Sequence, residues 1–271
     1  MKEQFLIRMD HPIVKHHKYE GQGSLPVSSY FDLIFQLFRE QGYDFTRLEL
    51  RNLTVYAPFL IRNDKDVLLC IQSREIEAGS WDIRIESEEE PSGKRLNERQ
   101  LLITARMYMR ESLVFHERLD IARIQLETNQ EERLAAYYEK CRQQNLFHEG
   151  IMLVEGIRYE GENGECCLKV VLGKEALPGA TGFMFHPALI EGAIIGSGVW
   201  FPQAMNGEQK LFIPLYCESF RAARTMDKEC WIRIAKPVER KPKLHLTTLE
   251  FFASNGSKIS ELVHYWSTAQ A

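Results

Sequence analysis

The sequence lacks most of the features that announce a function. It has no basic excess: 34 Lys and Arg stand against 38 Asp and Glu, for a formal net charge of −4. That excludes the electropositive footprint that binding to a phosphate backbone demands, so no nucleic-acid partner is expected. No apolar run approaches the ~20 residues of a membrane-spanning helix, and no secretory segment is evident. Six cysteines occur, but none are spaced C-x-x-C, and Cys166 and Cys167 are adjacent and unsuited to an ordinary bridge. Reduced thiols in a cytoplasmic protein are therefore expected. The eight histidines show no metal-ligand spacing, so no metal is expected. Nor is there a phosphate-binding glycine loop, because "GSG" at 196–198 lacks the strand-turn-helix context.

What remains is an ordinary globular composition, 44% hydrophobic and 27% charged, in 271 residues. That length allows one large domain or two modest ones. Two apolar segments, "VSSYFDLIFQLFREQ" after Pro26 and "HPALIEGAIIGSGVW" from His186, are too continuously apolar for surface helices. Leu33, Phe35, Leu37 and Phe38 cover most of the first helix's circumference, which predicts sheet wrapped around it. Between and after them run alternating segments such as "LELRNLTVYAPFLI", "DVLLCIQS" and "QLLITARMYMR", the pattern of half-buried antiparallel strands. "EEEPSGK", "GENGE" and the Asn255-Gly256 pair read as turns, and the acidic run 86–90 as a solvated one. The polar stretch "LETNQEERLAAYYEKCRQQN" reads as a connector helix. The order strand, buried helix, sheet thus occurs twice. It predicts an α+β double hot dog of two antiparallel sheets, each wrapped around a central helix. The parts are 1–125, a connector at 126–149, and 150–271.

The stretch "HHKYEGQGSLP" gives the first chemical clue. His17, Gly21 and Pro26 form H-x-x-x-G-x-x-x-x-P, preceded by "DHPIVKHH". With "YAPFL" near 58, "FHPALIE" at 185–191 and "LFIPLYCESF" at 211–220, this resembles the dehydratase domains of modular polyketide synthases along essentially the whole chain. The resemblance implies a double hot dog acting on an acyl thioester carried on the phosphopantetheine of an acyl carrier protein. No other cofactor is implied. Neighbouring synthase domains are the implied partners, and the family leaves room for a homodimer.

The chain departs from the family where it matters chemically. The second motif reads H-P-x-L-x-D, with a polar residue four positions beyond the acid. Here Glu191 holds the acid position and Ile195 the polar one. Where a tyrosine-glycine-proline motif is due, the chain has "LFHEGI", with His148 and Glu149. His17 is the expected base and Gly21 and Pro26 the oxyanion or substrate-positioning pair. His148 and Ile195 are candidate tunnel-lining residues, His148 structural rather than catalytic. Glu191 is either a working acid or a wall carboxylate without chemistry. His16 reads as an exposed neighbour, and His11 and His186 as turn residues. One imidazole suffices to move a double bond from α,β to β,γ, because it can take a proton and return it. Dehydration needs a base and an acid, and one added methylene shifts a carboxyl by ~1.5 Å. The departures are similar to those of enoyl-isomerase domains from trans-acyltransferase synthases, so isomerisation is the favoured expectation. Dehydration by His17 and Glu191, or a non-catalytic scaffold, stands as the alternative.

Overall fold

Helical and strand periodicities alternate along the chain as the composition predicts. The computed structural model describes residues 2–62, 65–89, 99–162, 164–199, 212–241 and 244–269. The N-terminal half runs β1 (Lys2–Ile7), α1 (Pro12–His16), β2 (His17–Tyr19), β3 (Gln22–Leu25), α2 (Ser28–Glu40), β4 (Leu48–Val55), β5 (Phe59–Ile61), β6 (Val67–Glu77), β7 (Ser80–Glu89) and β8 (Gln100–Met109). Next come α3 (Ile121–Glu127), β9 (Thr128–Arg133), α4 (Leu134–Gln143) and β10 (Leu146–His148). The C-terminal half is β11 (Val154–Gly161), β12 (Cys166–Leu172), α5 (Pro187–Gly196), β13 (Phe212–Ala222), β14 (Glu229–Lys241), β15 (Leu244–Phe252) and β16 (Lys258–Ala269).

Both apolar segments are buried helices. Every residue of α5 is buried, and α2 exposes little before its last turn, with Leu33 only half-buried. Phe31 and Phe35 of α2 pack with Phe185, just before α5, and with Phe220 of β13, ring centroids 4.9 to 5.5 Å apart. Truncating one such ring to alanine costs about 3–5 kcal/mol. Around the helices the strands pair in the order β1-β6-β7-β8-β4-β13-β16-β15-β14-β12-β11-β9. The fold is the expected double hot dog, with one difference. β4 pairs with β13 from Tyr216↔Thr54 to Arg221↔Glu49, so the two sheets join edge to edge as one sheet of twelve strands. A second sheet, β10-β2-β3-β5, closes one end.

Three local expectations are corrected. The stretch 126–145 is not one helix, because β9 interrupts it to pair with the edge of β11. Its second half, α4, buries Leu134, Tyr137, Tyr138 and Cys141 at i, i+3, i+4 and i+7, a packed amphipathic helix and not a solvated connector. The acidic run is strand as far as Glu89. Glu86 is buried there, 2.7 Å from Arg84, while Glu90 and most of the "EEEPSGK" turn lie outside the described residues. All six cysteines are free and buried. Among the described residues, no helix is long and apolar enough to cross a membrane.

Candidate active site

Local backbone chemistry brings His17 to the interior. Pro12 opens α1, and the chain becomes extended at His17, the first residue of β2. Tyr19 pairs with Gln22 across a two-residue loop in which Glu20 (φ 50°) and Gly21 (φ 78°) are both left-handed. This is the geometry of a tight primed hairpin turn, which glycine adopts without strain. A Cβ on Gly21 would meet nothing within 4 Å, so the position demands a backbone conformation and not space. The hairpin returns the Ser24 carbonyl to 3.1 Å from His17 Nδ1, where it accepts the ring N–H. That fixes the tautomer and leaves Nε2 as the free lone pair.

The sheet pairing then supplies a neighbour. β10 lies antiparallel to β2 with His148 directly opposite His17, and the two rings meet edge-on at 4.8 Å between centroids. Glu191 comes from the second turn of α5. His186 caps that helix by accepting the Ala188 N–H on Nδ1, so its ring faces the backbone and not the site. Asp32 of α2 holds the preceding residues, accepting the N–H groups of Met184 at 2.7 Å and Phe185 at 2.8 Å. Gly192 lets α5 press on β11, since a Cβ there would fall 2.4 Å from Val154 Cγ2. Glu191 Oε1 consequently sits 3.8 Å from His17 Nε2 and 3.7 Å from His148 Nε2, with all three side chains at 5% exposure or less.

Burial sets the charge states. Desolvation, helped by His148, lowers the His17 pKa to about 4, against the opposing pull of Glu191 and the Ser24 carbonyl. Desolvation lowers His148 to about 3. The same effect raises Glu191, with His17 and the Ser28 hydroxyl opposing it. Burial thus works toward the neutral form of both imidazoles and of the carboxyl. An imidazole and a carboxyl stand side by side. The three donor atoms lie within 4.8 Å of one another, close enough to share a cation, but proton transfer needs the same closeness.

A cavity of about 300 Å³ opens onto this pair. His17, Glu191 and Pro26 line it, together with Val27, Tyr30 and Tyr56. The break between β4 and β5 at Tyr56–Pro58, inside what reads as one continuous strand, forms part of its wall. The remaining predicted residues are placed differently. Gly21 is exposed at the hairpin tip and does not line the cavity, so it shapes the site from a distance. Ile195 is fully buried core and not tunnel wall. His148 also lies off the cavity, behind Glu191, and so is not tunnel-lining. His16 is half-buried, its ring packed where a Cβ on Gly150 would stand. Sequence reasoning did not single out Asp32, Tyr138 or Ser28. For Asp32 there was a signal: an acidic residue in the middle of an apolar helix needs a buried partner.

No family model matches the chain. Two polyketide synthases of Bacillus subtilis (strain 168) do. PksL is 37% identical over 266 residues and PksM 36% over 264, which is 98% and 97% of this chain. The chain spans 6% of the length of each. A crystal structure of a monomeric dehydratase domain from a trans-AT polyketide synthase split module superposes with a TM-score of 0.94 at 36% identity. The match covers 100% of this chain and 99% of that one. The chain belongs to the trans-AT polyketide synthase dehydratase domains. The N-terminal dehydratase of the difficidin assembly line (TM-score 0.86, 17% identity) covers 100% of this domain and 93% of its own chain, and shares the fold. So does the CurK dehydratase of the curacin synthase, at 0.82 and 16% with the same coverage. Within this family the dehydratase domain described here carries Glu191 between two imidazoles.

Proposed function

We propose that this domain removes water from a β-hydroxyacyl thioester, with His17 as base and Glu191 as acid. The approach of Glu191 Oε1 to within 3.8 Å of His17 Nε2 carries this reading. His17 Nε2 takes the α-proton, the bond from the β-carbon to its hydroxyl breaks, and the Glu191 carboxyl protonates the departing oxygen. The products are an α,β-enoyl thioester and water. The imidazolium then returns its proton to the carboxylate across the short gap between them. Burial favours the uncharged imidazole and raises the carboxyl's pKa, the directions that a base and an acid need. The thioester oxygen gains charge in the transition state. The Ser29 and Tyr30 N–H groups already donate to the Pro26 and Val27 carbonyls, so the N–H groups of Val27 and Ser28 at the start of α2 are the donors left for it.

Isomerisation by His17 alone is the reading the sequence favours, because nothing in the linear order aims the longer carboxylate. The geometry weakens that premise. Glu191 is not stranded at the tunnel wall; it is flanked by two imidazoles. The purely structural alternative is weaker still, since a scaffold has no use for a buried base and acid facing one cavity. The thioester would arrive on the phosphopantetheine of an acyl carrier protein within a longer synthase, consistent with the 6% of PksL and PksM that the chain spans. The solved relative is described as monomeric, which weighs against a homodimer.

The test is to offer β-hydroxyacyl and α,β-enoyl pantetheine thioesters and follow both by NMR. The expected result is loss of the β-hydroxyl with an α,β-enoyl signal, no turnover in His17→Ala, and a fall of about 100- to 10,000-fold in Glu191→Gln, the range of general-acid catalysis. A β,γ-olefin from the enoyl substrate, with the β-hydroxyacyl compound untouched, overturns the proposal.

A further inference from the structure

His148 is an odd residue to bury. Its side chain is wholly enclosed, and neither ring nitrogen has a hydrogen-bond partner among the described residues. Burying a polar group without a partner is costly, a cost that a phenylalanine of similar shape would avoid. The ring is nevertheless tightly held. The register His148↔His17 sets its height, and Tyr138 of α4 packs on it with centroids 5.2 Å apart. Tyr138 is itself engaged, its hydroxyl accepting the Val154 N–H at 3.4 Å. Nε2 stands 3.7 Å from Glu191 Oε1. That gap is roughly 0.8 Å longer than a typical N–H···O hydrogen bond, and such contacts commonly tighten when substrate binds.

Glu191 has little else to hold it from that side. One turn further along α5 stands Ile195, fully buried and apolar. His17 cannot anchor the carboxyl with an N–H, because its N–H is directed at Ser24. We infer that His148 positions Glu191: its Nε2–H donates to Oε1 and leaves the other carboxyl oxygen to deliver the proton to the departing hydroxyl. This rests on the dehydratase reading above and extends it. His148 does not touch the cavity, so it acts through Glu191 and is a positioning residue. It also resolves how a carboxylate one methylene longer than the family's can be aimed. The support has come from a strand of the small sheet instead of the acid's own helix.

The test uses His148→Phe, which keeps a planar ring in place but removes the donor, and His148→Gln, whose amide returns an N–H at a similar reach. Dehydration kcat should fall on the order of 10- to 100-fold in His148→Phe, in line with a misaimed catalytic group, while KM changes less than threefold or so. His148→Gln should recover most of the loss. In the Glu191→Gln background His148→Phe should cost nothing further, because the group it aims is already gone. A readout independent of turnover is the titration of Glu191 by carboxyl ¹³C NMR. The groups facing that carboxyl are His17 of β2, His148 of β10, Tyr138 and Cys141 of α4 and Ser28 of α2. Loss of the donor should move the titration upward in His148→Phe and back in His148→Gln. If His148→Phe does not fold, His148→Leu replaces it. Wild-type kcat in the donorless variant, or the same loss with and without Glu191, overturns the inference. If Glu191→Gln alone leaves dehydration intact, it is the dehydratase reading that fails, which is a distinguishable outcome.

Discussion

Asp32 on the first buried helix accepts the main-chain N–H of Phe185, 2.8 Å away in the other half of the molecule, and that of Met184 beside it at 2.7 Å. This carboxyl fixes where α5 begins, and α5 carries Glu191. Gln36, one turn along α2, steadies the other carboxyl oxygen at 2.5 Å. Burial pushes the Asp32 pKa up to about 6, against the hydrogen bonds from Phe185 and Met184.

Asp32→Ala should therefore destabilise the domain by about 2–5 kcal/mol, since two buried N–H groups lose their acceptor. Asp32→Asn keeps a carbonyl oxygen in place and should cost far less. Urea unfolding of the two variants measures this. Equal losses would mean that the charge, and not the acceptor, holds the helix.

A second expectation concerns pH. The base works only while His17 is neutral, so kcat/KM should fall as pH drops through about 4. The acid works only while Glu191 is protonated, so activity should also fall as pH rises through its elevated pKa. A bell results, with His17 on the acid limb and Glu191 on the alkaline one. In Glu191→Gln the residual activity should lose the alkaline limb and keep the acid one. A wild-type profile that stays flat up to pH 9 would remove Glu191 from the chemistry.

The fold was legible because its signals are local and strong. Two apolar helices among alternating strands admit few packings, and Glu20-Gly21 is a turn on any reading. What escaped was assembled by pairing across the chain. Nothing in the linear order puts His148 opposite His17; only the register of β10 on β2 does. The segment at 128–133 is polar in sequence and becomes strand only because the edge of β11 is there to pair with. Glu191 could be named from its motif, but nothing in the linear order shows that β10 brings His148 to 3.7 Å from it. Gly21 was misplaced for the opposite reason. Its motif position is fixed by the turn it makes, and the turn points away from the cavity.

Stability should also fall in acid, and the sign can be worked out. His17 and His148 are held neutral, with pKa values lowered to about 4 and about 3 from the ordinary 6.5. The unfolded chain therefore binds more protons than the folded one below pH 6.5. Stability is intact above that pH and is lost as pH drops toward the folded values, at ~1.4 kcal/mol per pH unit for each group. His148→Phe removes one of these titrations. Its melting temperature should decline less steeply than wild type between pH 6.5 and 4, measured by calorimetry. Parallel declines would mean that His148 is not kept neutral by burial.

Restoring the family's own aspartate, Glu191→Asp, withdraws the carboxyl by about one C–C bond, ~1.5 Å. From 3.8 Å and 3.7 Å, both imidazole contacts would open beyond direct interaction. Ile195 offers nothing nearer to replace them, and α5 cannot advance to compensate because Gly192 already presses against Val154 and Asp32 pins its start. Activity in dehydration should thus fall about 100-fold, although the substitution recreates the more usual motif. A β-hydroxyacyl pantetheine thioester assayed at saturation separates kcat from binding. If Glu191→Asp matched or exceeded wild type, the acid would not depend on its place between His17 and His148, and the site would have to be read as an aspartate site carrying a tolerated glutamate.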